Sequence, residues 1–67
     1  MTNKWKIEII LKCGKEVVGY YNGKEECTTD VVKTILSCDV FGMGNENYEK
    51  NILVMRNEIA AITVSKA

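Results

Sequence analysis

The chain has 67 residues, nine basic and nine acidic side chains, three cysteines and no histidine or proline. That length gives one domain, residues 1–67, with a small core. Zero net charge excludes the lysine- and arginine-rich footprint of a tight, non-specific nucleic-acid binder. An odd number of cysteines with no Cys-x-x-Cys pair, and no histidine, excludes the usual disulfide and zinc frameworks. Self-association is the remaining route by which so small a core gains stability.

The first element is the clearest. Trp5, Ile7, Ile9, Leu11 and Cys13 alternate with Lys4, Lys6, Glu8, Ile10 and Lys12, the period of two of a half-buried strand. Ile10 breaks the polar face, and Cys13 falls on the apolar side as a small core hydrophobe. Cys13-Gly14-Lys15-Glu16 reads as a tight hairpin turn, with Gly14 supplying a positive φ. A second strand is expected over 16–21, bulged or bent at Gly19, and Asn22-Gly23 is a turn signal.

Residues 28–37 change period. Val31, Val32, Ile35 and Leu36 fall on one face of a short helix. Thr28 or Thr29 is the expected N-cap, with Asp30 complementing the helix dipole. With Thr28 as the cap, Cys27 and Val32 occupy the positions of a hydrophobic staple. So short a helix needs a sheet to pack on.

Three strands follow, over 40–43, 52–55 and 58–64, separated by a polar loop (residues 44–51) and a short Arg56-Asn57 turn. In the last strand Ala60, Ile62 and Val64 share one face, and Ile59, Ala61 and Thr63 the other. Both faces are largely apolar, so this strand is expected to be covered on both sides. The order β-β-α-β-β-β predicts a mostly β (α+β) domain, a small barrel with one short helix.

Two stretches resemble the Sm-like family of small five-stranded barrels. Residues 7–23, Ile-Glu-Ile-Ile-Leu-Lys-Cys-Gly-Lys-Glu-Val-Val-Gly-Tyr-Tyr-Asn-Gly, look like the family's first motif: a strand, a Lys-x-Gly turn and a strand with a central glycine. Residues 52–62, Ile-Leu-Val-Met-Arg-Asn-Glu-Ile-Ala-Ala-Ile, look like its second motif. The resemblance implies an Sm/SH3-like barrel and a ring or other oligomer. It places Arg56 and Asn57 where the family's second base-contacting loop lies. Asn57 stands where the family usually has glycine, and residues 24–37 offer no counterpart of its other nucleotide-reading loop.

The candidate ligand- or partner-binding residues are Arg56, Asn57, Tyr20, Tyr21 and Tyr48. Tyr20 and Tyr21 are adjacent on a strand and so point to opposite faces; with Trp5 they offer stacking surfaces or core material. Tyr48 rides in the polar loop, either as a contact residue or folded back over the barrel end. Glu25, Glu26 and Asp30 gather at the helix start, as an acidic patch for a basic partner or, more cheaply, as a solvated turn that complements the helix dipole. Cys13, Cys27 and Cys38 have no nearby base, and no catalytic or phosphate-binding motif is present. The expectation is no enzyme, no cofactor and no metal.

The first functional reading is therefore a non-catalytic, homo-oligomeric binding module that engages a partner protein in preference to nucleic acid. Its small size, neutrality and Lys, Asn, Glu and Ile usage, and no motif, suggest a phage or mobile-element accessory or regulatory protein. The alternatives are an Sm-like oligomer binding RNA or a small nucleotide, and a structural subunit of a larger assembly. No run is apolar enough to span a membrane and no export signal opens the chain, which with unpaired cysteines predicts a cytoplasmic location.

Overall fold

Apolar alternation builds the first strand and buries its inner face, Trp5, Ile7 and Ile9, in the core. The computed structural model describes residues 2–67. Its elements are β1 (Asn3–Leu11), β2 (Glu16–Gly23), α1 (Thr28–Ser37), β3 (Val40–Gly44), β4 (Asn51–Met55), a 3-10 turn (Arg56–Glu58) and β5 (Ile59–Lys66). They form one antiparallel five-stranded sheet in the order β4-β3-β2-β1-β5. The expected element order and mostly β class are those observed.

The sheet has two well-laddered parts. β1 pairs with β2 from Asn3↔Gly23 to Ile10↔Glu16 and with β5 from Trp5↔Lys66 to Leu11↔Ile59. β3 and β4 pair from Val40↔Met55 to Gly44↔Asn51. A single bridge, Tyr20↔Gly44, joins the parts. Trp5, Ile7 and Ile9 of β1 nevertheless share one core with Phe41 and Met43 of β3, Val54 of β4, and Val31 and Ile35 of α1. The sheet thus curls around its core, and among the described residues no ladder joins its edge strands β4 and β5.

Helix α1 covers the core with Val31 and Ile35, both fully buried. Each contributes about 2 kcal/mol by leaving water. Val32 is half-buried and Leu36 exposed, so the apolar face is narrower than the four aliphatics suggested. The N-cap is Cys27, in extended conformation and with no side-chain hydrogen bond. The expected Thr28 or Thr29 cap and the Cys27–Val32 staple are therefore not formed: the helix begins one residue earlier, and Thr28 and Thr29 lie inside it. Its C-terminal carbonyls, which lack partners within the helix, are satisfied by Ser37 Oγ on Thr34 O at 2.7 Å, Cys38 N on Ile35 O at 3.3 Å and Arg56 Nη1 on Leu36 O at 3.1 Å.

Several local expectations are corrected. β2 runs on through Asn22 and Gly23, and the chain turns at residues 24–27 instead. Gly19 makes no bulge, because the β1–β2 register is unbroken around it. It faces inward, where a Cβ would come within 2.5 Å of the Met43 side chain, so glycine is needed for close approach. The bulge lies instead at Ile10/Leu11 against β5, and it lets Ile59 pack on the core beside Ile62 and Val64. Cys13 is exposed, because the strand ends at Leu11 and the turn, with Gly14 at φ 92°, carries it out of the sheet. Cys27 is exposed as well and Cys38 half-buried. β5 is an edge strand with Ala60, Ala61 and Thr63 exposed, so in the single chain only its inner face is covered. No helix among the described residues is long and apolar enough to cross a membrane.

Candidate functional site

Strand alternation sends Tyr21 and Tyr20 to opposite sides. Tyr21 stands opposite Trp5 on the inner face. Its ring meets Phe41 at 5.3 Å between centroids, tilted by 60°, within the range of favourable aromatic contacts. Its hydroxyl donates to the Glu25 carboxylate at 3.1 Å to Oε2, and the Thr34 hydroxyl donates to the same oxygen at 2.6 Å. The Asn3 side chain donates to the Glu25 carbonyl at 2.9 Å. This network ties β1, β2, the turn and α1 together. Burial and the neighbouring Glu25 raise the Tyr21 phenol above its ordinary range, and the Thr34 hydroxyl, with backbone and Tyr21 donors, lowers the Glu25 carboxyl. Tyr21 and Glu25 are thus architectural. Trp5 belongs to the core as well, with Lys66 Nζ 5.6 Å from its ring centre.

Arg56 is similarly occupied. Its guanidinium bonds the Leu36 carbonyl and Asp39 Oδ1, the latter at 3.0 Å, and its backbone N–H bonds Asp39 O at 2.9 Å. A planar fork suits this double role, so Arg56 pins the helix end to the β4–β5 turn. Asn57 is exposed beside it, on a shallow depression that Val40 and Met55 also line.

Tyr20 and Tyr48, far apart in sequence, come together. Tyr20 points outward from β2, opposite Lys6 on β1, and Lys4 stands opposite Asn22. Lys4 Nζ lies 5.1 Å from the Tyr20 ring centre and 5.4 Å from that of Tyr48, within cation–π range of both. Tyr48 gets there through a tightly bonded loop. Asn45 Oδ1 accepts the Glu49 N–H at 2.7 Å, Tyr48 N donates to Asn45 O at 3.0 Å, and Asn45 N donates to Lys50 O at 3.2 Å. Tyr48 itself has φ 58°, the left-handed region that costs a non-glycine residue about 1 kcal/mol. Its ring lies over Gly44, where a Cβ would come within 2.5 Å of Cδ1. The result is an open cleft of about 370 Å³ whose walls include Tyr20, Tyr48, Asn22, Asn51 and the bare backbone of Gly42 and Gly44. Lys4 was not singled out from sequence. The alternation that set it beside Asn22 was legible, but the loop that brings Tyr48 over it was not.

A second surface lies along the β3–β4 hairpin. Val40 opposes Met55 and Gly42 opposes Leu53 on the outer face. Val40, Leu53 and Met55 are 49%, 70% and 60% exposed. β4 is also an edge strand, so its outer backbone groups have no ladder partner. Beside it, Leu11, Val17, Ile52 and Val54 line an apolar groove of about 240 Å³ between β4 and the end of the β1–β2 hairpin. Among the described residues no group of histidine, cysteine and carboxylate side chains forms a metal site. No protein-family model, curated protein or solved structure matches the chain.

Proposed function

We propose that the chain is a non-catalytic binding module that assembles into a small homo-oligomer and engages a partner protein. The observation that carries this reading is the exposure of Leu53 and Met55 on an edge strand, with an apolar groove alongside. Exposed, flat, aliphatic edge strands are what soluble monomers avoid. Covering Leu53 and Met55 is worth about 1–2 kcal/mol each, and a partner strand would also satisfy the open backbone groups of β4. The Sm-like resemblance supports the same reading, because a sheet with open edges at β4 and β5 can continue from one subunit into the next.

The test is a pair of charged substitutions, Leu53→Lys and Met55→Lys, followed by sedimentation velocity. Both side chains point away from the core, so the variants should stay folded and fall to monomer. Unchanged association in both would remove this face from the interface. A second reading, binding of a small nucleotide, is favoured by one observation: Lys4 Nζ lies within cation–π range of both Tyr20 and Tyr48.

A further inference from the structure

We infer that the cleft between Tyr20 and Tyr48 binds a free mononucleotide, with its base stacked on Tyr48 and its phosphate paired with Lys4. The inference rests on the nucleotide reading and is independent of the apolar β4 face. Three features of the cleft carry it. It offers a flat aromatic surface that is still partly open, since Tyr48 is 44% exposed. Its floor includes the exposed bare backbone of Gly42, which lets a planar group approach the sheet beside the Tyr48 ring that covers Gly44. One ammonium, that of Lys4, stands beside the cleft within cation–π range of both rings, a single positive charge suited to a single phosphate.

The surroundings narrow the ligand further. Asn22 and Asn51 stand on the cleft wall, and each carboxamide carries both donors and an acceptor for the edge of a base. Among the described residues no carboxylate lines the cleft, and the loop's Glu46 and Glu49 are exposed outside it. The chain as a whole is neutral. A polymer needs several phosphates neutralised along a basic track, whereas one nucleotide needs only an aromatic face and the one ammonium of Lys4 beside it. The conformation of Tyr48 points the same way. The turn would accept glycine or asparagine at this left-handed position more readily, so the loop's own geometry does not call for the ring that closes the cleft.

Isothermal titration of the full chain with 5′-AMP, 5′-UMP, adenosine and a single-stranded octanucleotide tests this. Saturable binding of at least one mononucleotide is expected, with adenosine about tenfold weaker than AMP if AMP is the one bound. Tyr48→Ala and Lys4→Ala should each weaken binding by about fivefold or more. Tyr48→Phe keeps the ring and should retain it, as should Arg56→Ala, which lies outside the cleft. Circular dichroism melts verify that each variant is folded. No mononucleotide binding at millimolar concentration overturns both the inference and the nucleotide reading. Binding that survives Tyr48→Ala and Lys4→Ala overturns the site alone. An octanucleotide that binds far more tightly, with steep salt dependence, overturns the ligand class.

Discussion

Arg56 donates from Nη1 to the carbonyl oxygen of Leu36 at 3.1 Å, closing the C-terminal end of α1. Its other partner, Asp39, has a side chain 89% exposed. Exposed ion pairs contribute little, whereas a charged donor on an orphan helix carbonyl contributes more. Arg56→Ala is therefore expected to cost about 1 kcal/mol and Asp39→Ala less than about 0.5 kcal/mol. Urea melts of the two variants measure the difference. Equal losses would show that the ion pair, and not the helix end, is what Arg56 serves.

Glu25 gives the fold an acid limb. Its carboxyl is lowered because the ionised form accepts from Thr34 and Tyr21. The stabilisation is fully present above its unfolded value of about 4.3 and is lost as pH falls through the lower folded value. Thr34→Ala removes the shortest of these bonds and is expected to cost about 1 kcal/mol at neutral pH. The cost should shrink towards zero at the acid end of a pH series of urea melts. A cost that stays constant with pH would mean Thr34 acts by packing. Tyr21 has the opposite sign: its raised phenol holds the fold below the unfolded value of about 10, and stability falls as pH rises through the folded value.

Tyr48→Gly separates stability from binding. Relief of the left-handed backbone returns about 1 kcal/mol, and loss of the ring's contacts with Lys4 and Gly44 removes a similar amount. The melting temperature should therefore shift little, while the cleft loses its stacking surface. A large fall in stability would make Tyr48 a structural residue first.

Ile35 anchors the helix, being fully buried in the shared core. Ile35→Ala should cost about 2–5 kcal/mol, enough to unfold a domain this small. Leu36→Ala, one residue on but 46% exposed, should cost less than about 1 kcal/mol. Thermal melts of the pair check which face of the helix is docked, and similar losses would mean that Leu36 is covered too.

Much of this architecture was legible in the sequence, because each strand carries its own period-two signal. Trp5, Ile7 and Ile9 identified the core face of β1, and the change of period at Val31 and Ile35 marked the helix. What escaped was non-local. Gly19 read as a bulge or a bend; it makes no bulge, and a Cβ there would meet Met43, a residue on another strand. Cys13 continued the alternation of β1 on paper, while the turn at Gly14 had already ended the strand. Of the five candidate site residues, Tyr20 and Tyr48 converge; Tyr21 and Arg56 hold the fold, and Asn57 stands apart from the cleft. Nothing local to Tyr48 announces that Asn45 will fold the loop so that its ring reaches Lys4.

The central claim is that the open β4 edge and its apolar face bring subunits together. Native mass spectrometry of the purified chain over a concentration series tests it most directly, since it counts subunits and detects retained ligand mass together. A defined oligomer that persists on dilution is the predicted result. A monomer at every concentration would contradict self-association and leave the Leu53–Met55 face for a different protein.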